Sequence, residues 1–263
     1  MFFESYNNII LSNTVFNLGT LINMEFDYTF WEKSLESGYY DKILETGLSK
    51  RKGIQSFWHN TTFNLVKNYI EKSTKHLDYA CGPGSFTGRY LEIYTLGYDI
   101  SSNQIDYAKT KFSSKNNCNY VNEKTLITKQ APFDSITVLG LIEFLDDKEI
   151  VKLIDELYSL LNNGGKLILT TPNFQLPMKI LTYFNSNFGK IDYNTTFINK
   201  FNVKKIRKIL LETNVNNFKI SKYMNAGIVF SLFSHQFGNL IQEIFDRIFN
   251  KKFGFMMAII IQK

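Results

Sequence analysis

The chain has few cysteines, few prolines and no long hydrophobic run. Its 263 residues include only 2 cysteines, Cys81 and Cys118, which form no C-x-x-C pair and have no cluster of metal-binding residue types beside them. We therefore expect neither a disulfide framework nor a metal site. No apolar run reaches the roughly 18 residues that a membrane-spanning helix needs, and no basic segment followed by an apolar core opens the chain. These absences predict a cytoplasmic protein without a transmembrane segment.

Apolar residues, by contrast, are plentiful: hydrophobic residues make up 44% of the chain and aromatic residues 16%, with only 4 prolines. This composition is typical of a folded globular protein, and the length allows one domain with a substantial core. The net charge of +6 could attract an anionic ligand or a membrane surface. The lysines are dispersed, and only Lys50-Arg51-Lys52 forms a compact basic run. The charge therefore does not predict nucleic-acid binding.

A glycine-rich loop follows the short apolar run 76–80. The run is typical of a strand, and the residues after the last glycine of the loop favour a helix, so the order strand, tight loop, helix is predicted. Gly82 and Gly84 have no Cβ and can adopt positive φ, which lets a ligand approach the backbone. The N–H groups that open the helix point towards such a ligand. The loop therefore predicts a nucleotide-like ligand.

The spacing of the glycines argues against a dinucleotide. In the pattern G-x-G-x-x-G counted from Gly82, the third glycine is replaced by Thr87, and Gly88 comes one residue late. A second acid, Asp99, ends the next apolar run. An acid at the end of a second strand can accept hydrogen bonds from both ribose hydroxyls of an adenosine. A nucleotide-dependent oxidoreductase stays open as an alternative, weakened by the shifted glycine.

The segment Leu77-Asp78-Tyr79-Ala80-Cys81-Gly82-Pro83-Gly84, followed by Asp99, resembles class I S-adenosylmethionine-dependent methyltransferases. Their first motif commonly reads Leu-Asp-x-Gly-Cys-Gly-x-Gly, and Ala80 stands where its first glycine is usual. The resemblance implies S-adenosyl-L-methionine as cofactor. It also implies a Rossmann-like α/β fold, with a seven-stranded, mostly parallel sheet whose last strand is antiparallel, helices on both faces and an N-terminal helical cap. The implied cofactor-binding residues are Asp78, Tyr79, Ala80, Gly82, Gly84, Asp99, Ile100, Gln104 and Leu139.

Strands and helices alternate along the chain, which independently indicates an open doubly wound sheet. The predicted strands are 76–80, 94–99, 118–122, 133–140, 166–171, 218–223 and 254–262. Ser101 is expected to cap one helix, and the glycines of 162–165 are expected to end another in the left-handed conformation. We expect an N-terminal extension and helical cap over 1–72 and the core over 73–263, with an acceptor-binding insertion at about 173–201. Residues 1–23 are interpreted as a lid-like extension or a misassigned start.

Methyl transfer from a sulfonium is an in-line displacement, so the protein supplies alignment, closure and sometimes a base. His59 in the cap is the candidate general base, with Tyr40 beside it as a second catalytic candidate, although a histidine that only packs is the alternative. Tyr39, Asn173 and Tyr193 are the candidate acceptor-binding residues. Many relatives carry Glu-His after the fourth strand, where this chain has Glu143-Phe144.

The acceptor is predicted to be a small, anionic molecule methylated on oxygen. A sugar or a phosphorylated or nucleotide-linked precursor of a surface polysaccharide is favoured over a quinone-like ring or a nitrogen acceptor. The fourth predicted strand is not followed by an Asn/Asp-Pro-Pro-Tyr motif, which lowers the odds of adenine or glutamine amide methylation. A non-catalytic methyltransferase-like binding module is the remaining alternative.

Apolar residues recur at helical spacing between the last two predicted strands: Phe233, Phe237, Leu240, Ile241, Ile244, Phe245 and Ile248. Core packing or a homodimer contact is preferred to peripheral contact with a membrane. The reason is that the flanking acids Glu243 and Asp246 do not suit anionic lipid.

Overall fold

A computed structural model describes residue 32 and residues 35–72, 74–113, 117–174, 197–250 and 252–263. The predicted lid-like extension over residues 1–23, most of the predicted insertion and Tyr193 lie outside the described residues.

Seven strands form one sheet in the order β3-β2-β1-β4-β5-β7-β6. The first five strands pair in parallel, and β7 is antiparallel to both β5 and β6. The predicted fold, including the antiparallel last strand, is confirmed. The strands are β1 His76–Tyr79, β2 Thr95–Tyr98, β3 Cys118–Val121, β4 Phe133–Leu139, β5 Leu161–Pro172, β6 Phe218–Tyr223 and β7 Met256–Gln262.

Helices cover both faces of the sheet. Side chains alternate along a strand, so Leu167 and Leu169 of β5 lie in one hydrophobic cluster while Ile168, between them, lies in another. The described helices are α1 Tyr39–Lys50, α2 Ile54–Lys67, α3 Ser85–Tyr90, α4 Ser102–Phe112, α5 Thr125–Gln130, α6 Asp147–Ser159, α7 Val203–Leu211, α8 Gly227–Phe230 and α9 His235–Phe249. The cluster of Leu167 includes residues of α6 and α7, and that of Ile168 includes residues of α1 to α3.

Local capping explains where two of these helices begin. The Ser101 hydroxyl accepts a hydrogen bond from the Gln104 N–H at the start of α4, as predicted. A capping box opens α6, because Asp146 and Glu149 each accept a hydrogen bond from the other's backbone N–H.

An ionic cluster fixes α1 to the helices of the core. Asp41 of α1 is fully buried and accepts two hydrogen bonds from the Arg89 guanidinium, at 2.6 and 2.8 Å. Lys111 of α4 lies 2.9 Å from the same carboxylate. Burial raises the pKa of Asp41, but the hydrogen bonds from Arg89 and Lys111 outweigh burial and hold that pKa at about 2. The cap and the core are therefore joined by a charged contact as well as by apolar packing.

The predicted end of α6 is wrong. The helix ends at Ser159, and residues 162–165, expected to terminate it, lie inside the bounds of β5. Gly164 does have a positive φ of 80°, but its N–H donates to the carbonyl of Lys263. The glycine therefore serves a turn beside the C-terminal residue and does not cap the helix.

For the apolar stripe of α9, core packing and a homodimer contact were both expected, and the structure contradicts core packing. Phe233 just before the helix is 72% exposed, and Leu240 and Ile248 within it are 53% and 67% exposed. The buried residues of α9 are His235 and Gly238. A stripe at helical spacing predicts that a helix is amphipathic, but it does not predict which face turns inward.

Candidate functional site

The loop after β1 has a positive φ at three positions, and only the one occupied by alanine is strained. Ala80, Gly82 and Gly84 have φ values of 62°, 52° and 72°. The left-handed region costs an alanine roughly 1 to 2 kcal/mol, which explains why glycine is usual at the position of Ala80 in similar loops. A Cβ on Gly84 would meet the Tyr120 ring at 2.8 Å, whereas a Cβ on Gly82 would meet nothing within 4 Å. Gly84 thus serves packing, and Gly82 faces open space.

Asp99 lies against this loop at the carboxyl end of β2. One carboxylate oxygen accepts the Gly82 N–H at 2.8 Å and the other accepts the Ser101 N–H at 2.9 Å. Burial raises the pKa of Asp99, and hydrogen bonds from Ser101 and Gly82 oppose the rise. A carboxylate offers about four lone-pair sites, so Asp99 can still accept from a ligand hydroxyl. Ile100 beside it is 48% exposed and offers an apolar surface to a base.

Asp78 lies in a buried polar network below the loop. The Thr137 hydroxyl donates to Asp78 at 2.7 Å and lies 3.0 Å from Nε2 of His76, whose Nδ1 lies 2.8 Å from the Ser135 hydroxyl. When Asp78 is ionised, Thr137 uses its proton on Asp78, so Nε2 of His76 donates to Thr137 and Nδ1 accepts from Ser135. Burial lowers the pKa of His76 to about 3 and raises that of Asp78 to about 7.

The remaining predicted cofactor residues have contacts within the protein. The Tyr79 ring packs on Tyr98, with centroids 4.9 Å apart. Gln104 is buried; its amide oxygen accepts the Gly38 N–H at 3.1 Å and its amide nitrogen donates to the Glu36 carbonyl at 3.2 Å. Leu139 is half-buried at the end of β4. Gly82, Asp99 and Ile100 are therefore the predicted residues that meet at one accessible edge, while Gln104 holds the segment before α1.

The predicted catalytic and acceptor residues of the cap lie together. The His59 ring is 5.6 Å from the Tyr40 ring and 5.6 Å from the Phe63 ring, and Tyr39 is 5.3 Å from Tyr40. Burial lowers the pKa of His59 to about 4. The imidazole is therefore neutral at pH 7 and sits among aromatic rings.

Sequence reasoning missed Glu143 as a functional candidate, noting only the absent histidine after it. Glu143 comes after the C-terminal end of β4 in the chain. Its side-chain carboxyl group is buried and accepts a hydrogen bond from the Thr171 hydroxyl at 3.2 Å. Burial raises the pKa of Glu143 to about 7. The signal in the sequence was an acid in the otherwise apolar run 141–145 at the end of a strand.

Asn173 and Tyr223 lie at the same edge of the sheet as Glu143. Asn173 directly follows β5 and is buried; its amide nitrogen donates to the Gly254 carbonyl at 2.7 Å, and its amide oxygen has no hydrogen-bond partner within the described part of the chain. The Tyr223 hydroxyl, at the end of β6, lies 3.0 Å from the Thr62 hydroxyl of α2. These polar groups line the edge between the core and the cap.

Comparison with known families identifies this arrangement. Residues 77–165, which contain the loop, Asp99 and Glu143, match the family model described as a methyltransferase domain. This stretch is therefore similar to methyltransferase domains. The predicted resemblance to class I S-adenosylmethionine-dependent methyltransferases is thereby confirmed, and it supports S-adenosyl-L-methionine as the cofactor. The geometry at Gly82, Asp99 and Ile100 fits an adenosine, because it combines open backbone, a hydroxyl acceptor and an apolar surface.

The names of curated relatives of this chain describe different acceptors. One is malonyl-[acyl-carrier protein] O-methyltransferase 1 of Ilyobacter polytropus, 27% identical over 49% of this chain and 53% of the relative. Another is the tRNA U34 carboxymethyltransferase of Campylobacter concisus, 29% identical over 59% of this chain and 58% of the relative. The chain thus spans little more than half the length of the curated relatives it matches.

A solved structure shares the fold of this chain. The crystal structure of a methyltransferase from Archaeoglobus fulgidus superposes with a TM-score of 0.52 and 20% identity, over 76% of this chain and 94% of that chain. Among the residues described, no three His, Cys, Asp or Glu side chains are grouped so that they could hold a metal ion. No helix in the described ranges is long and apolar enough to cross a membrane.

Proposed function

We propose that this methyltransferase transfers a methyl group from S-adenosylmethionine to a hydroxyl oxygen of a small anionic molecule. A sugar or a phosphorylated or nucleotide-linked precursor of a surface polysaccharide is the proposed class. The donor site rests on one observation, the edge at which open Gly82, the Asp99 carboxylate and exposed Ile100 meet. An oxygen acceptor is supported by the Ilyobacter polytropus relative, whose name describes an O-methyltransferase. The exposed run Lys50-Arg51-Lys52 supports an anionic acceptor.

The bound cofactor supplies a methyl group activated on a sulfonium. The side chains of the protein then have three tasks, which are to hold the donor, to orient the acceptor and to take the proton of the acceptor hydroxyl. Asp99 and the loop with Gly82 hold the donor in this proposal. Tyr39, Tyr40 and Asn173 are proposed to orient the acceptor, since they lie in the cap and at the carboxyl edge of the sheet.

Two groups are candidates for the base. His59 lies beside Tyr40, but its pKa of about 4 makes the imidazole a weak base. Glu143 lies at the end of β4 with a pKa of about 7, near the pH at which a general base is most effective. The pKa values favour Glu143, and the pH dependence of turnover distinguishes the two.

Two measurements on the purified protein test the proposed function. In calorimetry, S-adenosylmethionine and S-adenosylhomocysteine should bind and NAD should not. In a second assay, formation of S-adenosylhomocysteine is followed with nucleotide sugars, sugar phosphates, quinols and amines as separate acceptors, with Asp99→Ala as the control for donor-dependent signal. Turnover with a sugar hydroxyl supports the proposal. Turnover with an amine or a quinol alone would show that the acceptor belongs to that class and is not a sugar hydroxyl. A folded protein that binds neither S-adenosylmethionine nor S-adenosylhomocysteine would favour a methyltransferase-like binding module that has lost the donor site.

A further inference from the structure

The surface formed by α8, α9 and the turn between them exposes a continuous apolar stripe. We call this stripe the interfacial face. Its residues and their exposed fractions are Val229 47%, Leu232 54%, Phe233 72%, Phe237 42%, Leu240 53%, Ile244 41% and Ile248 67%. Contiguous apolar patches of this kind on a soluble protein mark interaction sites, whereas single exposed apolar residues need no explanation.

The opposite side of α9 is fixed against the protein by polar contacts and close packing. The amide nitrogen of Asn225 donates to the Gln242 carbonyl at 2.9 Å and to the Asp246 carboxylate at 2.8 Å. Gly227 and Gly238 pack so closely that a Cβ on Gly227 would lie 2.2 Å from the Gly238 carbonyl oxygen. The helix cannot rotate its stripe inward without breaking these contacts. The normal arrangement of an amphipathic surface helix is thus reversed.

Cations border the interfacial face at both ends. The Arg51 carbonyl accepts the His235 N–H at 2.7 Å, and the Gly53 N–H donates to the Ser231 carbonyl at 2.8 Å. These bonds hold the exposed run Lys50-Arg51-Lys52 beside the start of α9. Arg247 on the last turn of α9 and Lys252 after it are exposed at the other end.

Two acids, Glu243 and Asp246, lie on α9 itself. Asp246 points towards Asn225 on the inner side of α9, so it does not belong to the interfacial face. Glu243 remains as an exposed acid of the helix. The argument from flanking acids against a membrane contact therefore fails for Asp246, because the sequence did not show which side of the helix it occupies.

We propose that the interfacial face docks on an anionic lipid surface. Apolar side chains with a basic rim are what an interfacial helix needs, because the apolar groups enter the headgroup boundary while the cations bind anionic headgroups. A second copy fits less well. A two-fold contact along α9 would bring basic ends of the two copies together in either orientation, and like charges repel across an interface.

The position of the interfacial face in the fold indicates what a membrane contact would do for the candidate site. Because β7 is antiparallel, the end of β6 and the start of β7 lie at the same edge as the carboxyl ends of β4 and β5. The chain from β6 to β7 that carries α8 and α9 therefore leaves and re-enters the sheet at the edge that holds Glu143 and Asn173. A docked protein would hold this edge near the lipid surface. The docking proposal stands independently of methyl-transfer activity.

Vesicle flotation tests the proposal with the full chain. We expect the protein to float with vesicles made of equal parts phosphatidylcholine and phosphatidylglycerol, and to float far less with phosphatidylcholine alone. Phe233→Ser should lower the partition coefficient about tenfold, as expected for losing one large inserted apolar side chain. Lys50→Glu and Lys52→Glu should each lower it about fivefold or more, and added salt should weaken the binding of the unaltered protein.

Matched controls lie on α6 and α7, away from the interfacial face. Leu211 is 73% exposed, and Lys148 and Lys152 are exposed. Leu211→Ser and the pair Lys148→Glu, Lys152→Glu should leave flotation unchanged. All variants should retain the circular dichroism spectrum and the S-adenosylmethionine affinity of the unaltered protein. Equal losses from the controls, or no flotation of the unaltered protein, would overturn the proposal. A dimer seen by light scattering that Phe233→Ser dissociates, without vesicle binding, would assign the face to a second copy.

Discussion

Among single residues, Asp99 accepts the N–H of Gly82 in the loop after β1 and the N–H of Ser101 in its own loop, and it is proposed to accept ligand hydroxyls as well. We expect Asp99→Ala to weaken S-adenosylmethionine binding by about 1.5 to 3 kcal/mol, the range for hydrogen bonds to a charged group. Asp99→Asn keeps one acceptor oxygen and should lose less. Calorimetry measures both, with circular dichroism to verify folding. Unchanged affinity in a folded Asp99→Ala protein would remove Asp99 from the donor site.

The two loop glycines should respond differently to a methyl group. Gly84→Ala drives a Cβ into the Tyr120 ring and strains the backbone, so it should lower the free energy of unfolding by about 2 to 4 kcal/mol. Gly82→Ala meets open space and should cost about 1 to 2 kcal/mol from backbone strain alone. Urea unfolding compares the two. Donor affinity should fall in the folded Gly82→Ala protein, and equal unfolding costs would contradict the distinction.

The pH profile of turnover should distinguish Glu143 from His59. A base acts when deprotonated, so turnover should rise through the pKa of the base, near pH 7 for Glu143 and near pH 4 for His59. We expect turnover to rise with pH around pH 7. Glu143→Gln, which can still accept a hydrogen bond from Thr171, should abolish this rise and lower the rate by about a hundredfold or more. A profile that is flat around pH 7, together with a large loss in His59→Ala, would return the role to His59.

At the scale of elements, the stability of the cap should depend on Asp41. Asp41→Asn leaves Arg89 and Lys111 without their buried counter-charge, and breaking such a pair costs about 3 kcal/mol. Glu45→Gln is the matched control: its carboxylate meets the same two cations but is half exposed, so the loss should stay within about 1 kcal/mol. Urea unfolding measures the loss in the free energy of unfolding for both variants. Similar losses would mean that the buried contact of Asp41 contributes no more stability than the exposed one.

For the whole molecule, the dependence of stability on pH follows from groups with opposite shifts. Burial lowers the pKa values of His59 and His76 to about 4 and 3 from 6.5, so stability from these residues is lost as the pH falls below 6.5. Burial raises the pKa values of Asp78 and Glu143 to about 7 from 3.8 and 4.5, so stability from these residues is lost as the pH rises towards 7.

Between pH 6.5 and about 4 these contributions oppose each other, and stability should change little. Below about pH 4 the acids no longer compensate, and Asp41, with its pKa lowered from 3.8 to about 2, adds a loss of the same sign as the histidines. Urea midpoints measured between pH 3 and pH 8 should therefore show a plateau and then a steep fall. A steep fall that begins at pH 6 would contradict this balance.

The sequence predicted the fold, which the structure confirms, and the donor edge, which stays a proposal. The strands, the glycine loop and Asp99 are local signals, because apolar runs, glycine spacing and an acid at a strand end each act within a few residues. The tertiary structure alone decided the partners of Gln104, Asp41 and Glu143, because these contacts join residues far apart in the chain.

The orientation of the apolar stripe of α9 likewise depends on tertiary structure. Its periodicity gave an apolar stripe, but the contacts of Asn225 with Gln242 and Asp246 turn the polar side inward and leave the stripe exposed. A helical pattern states which residues share a face, and only packing against the rest of the chain determines where that face points.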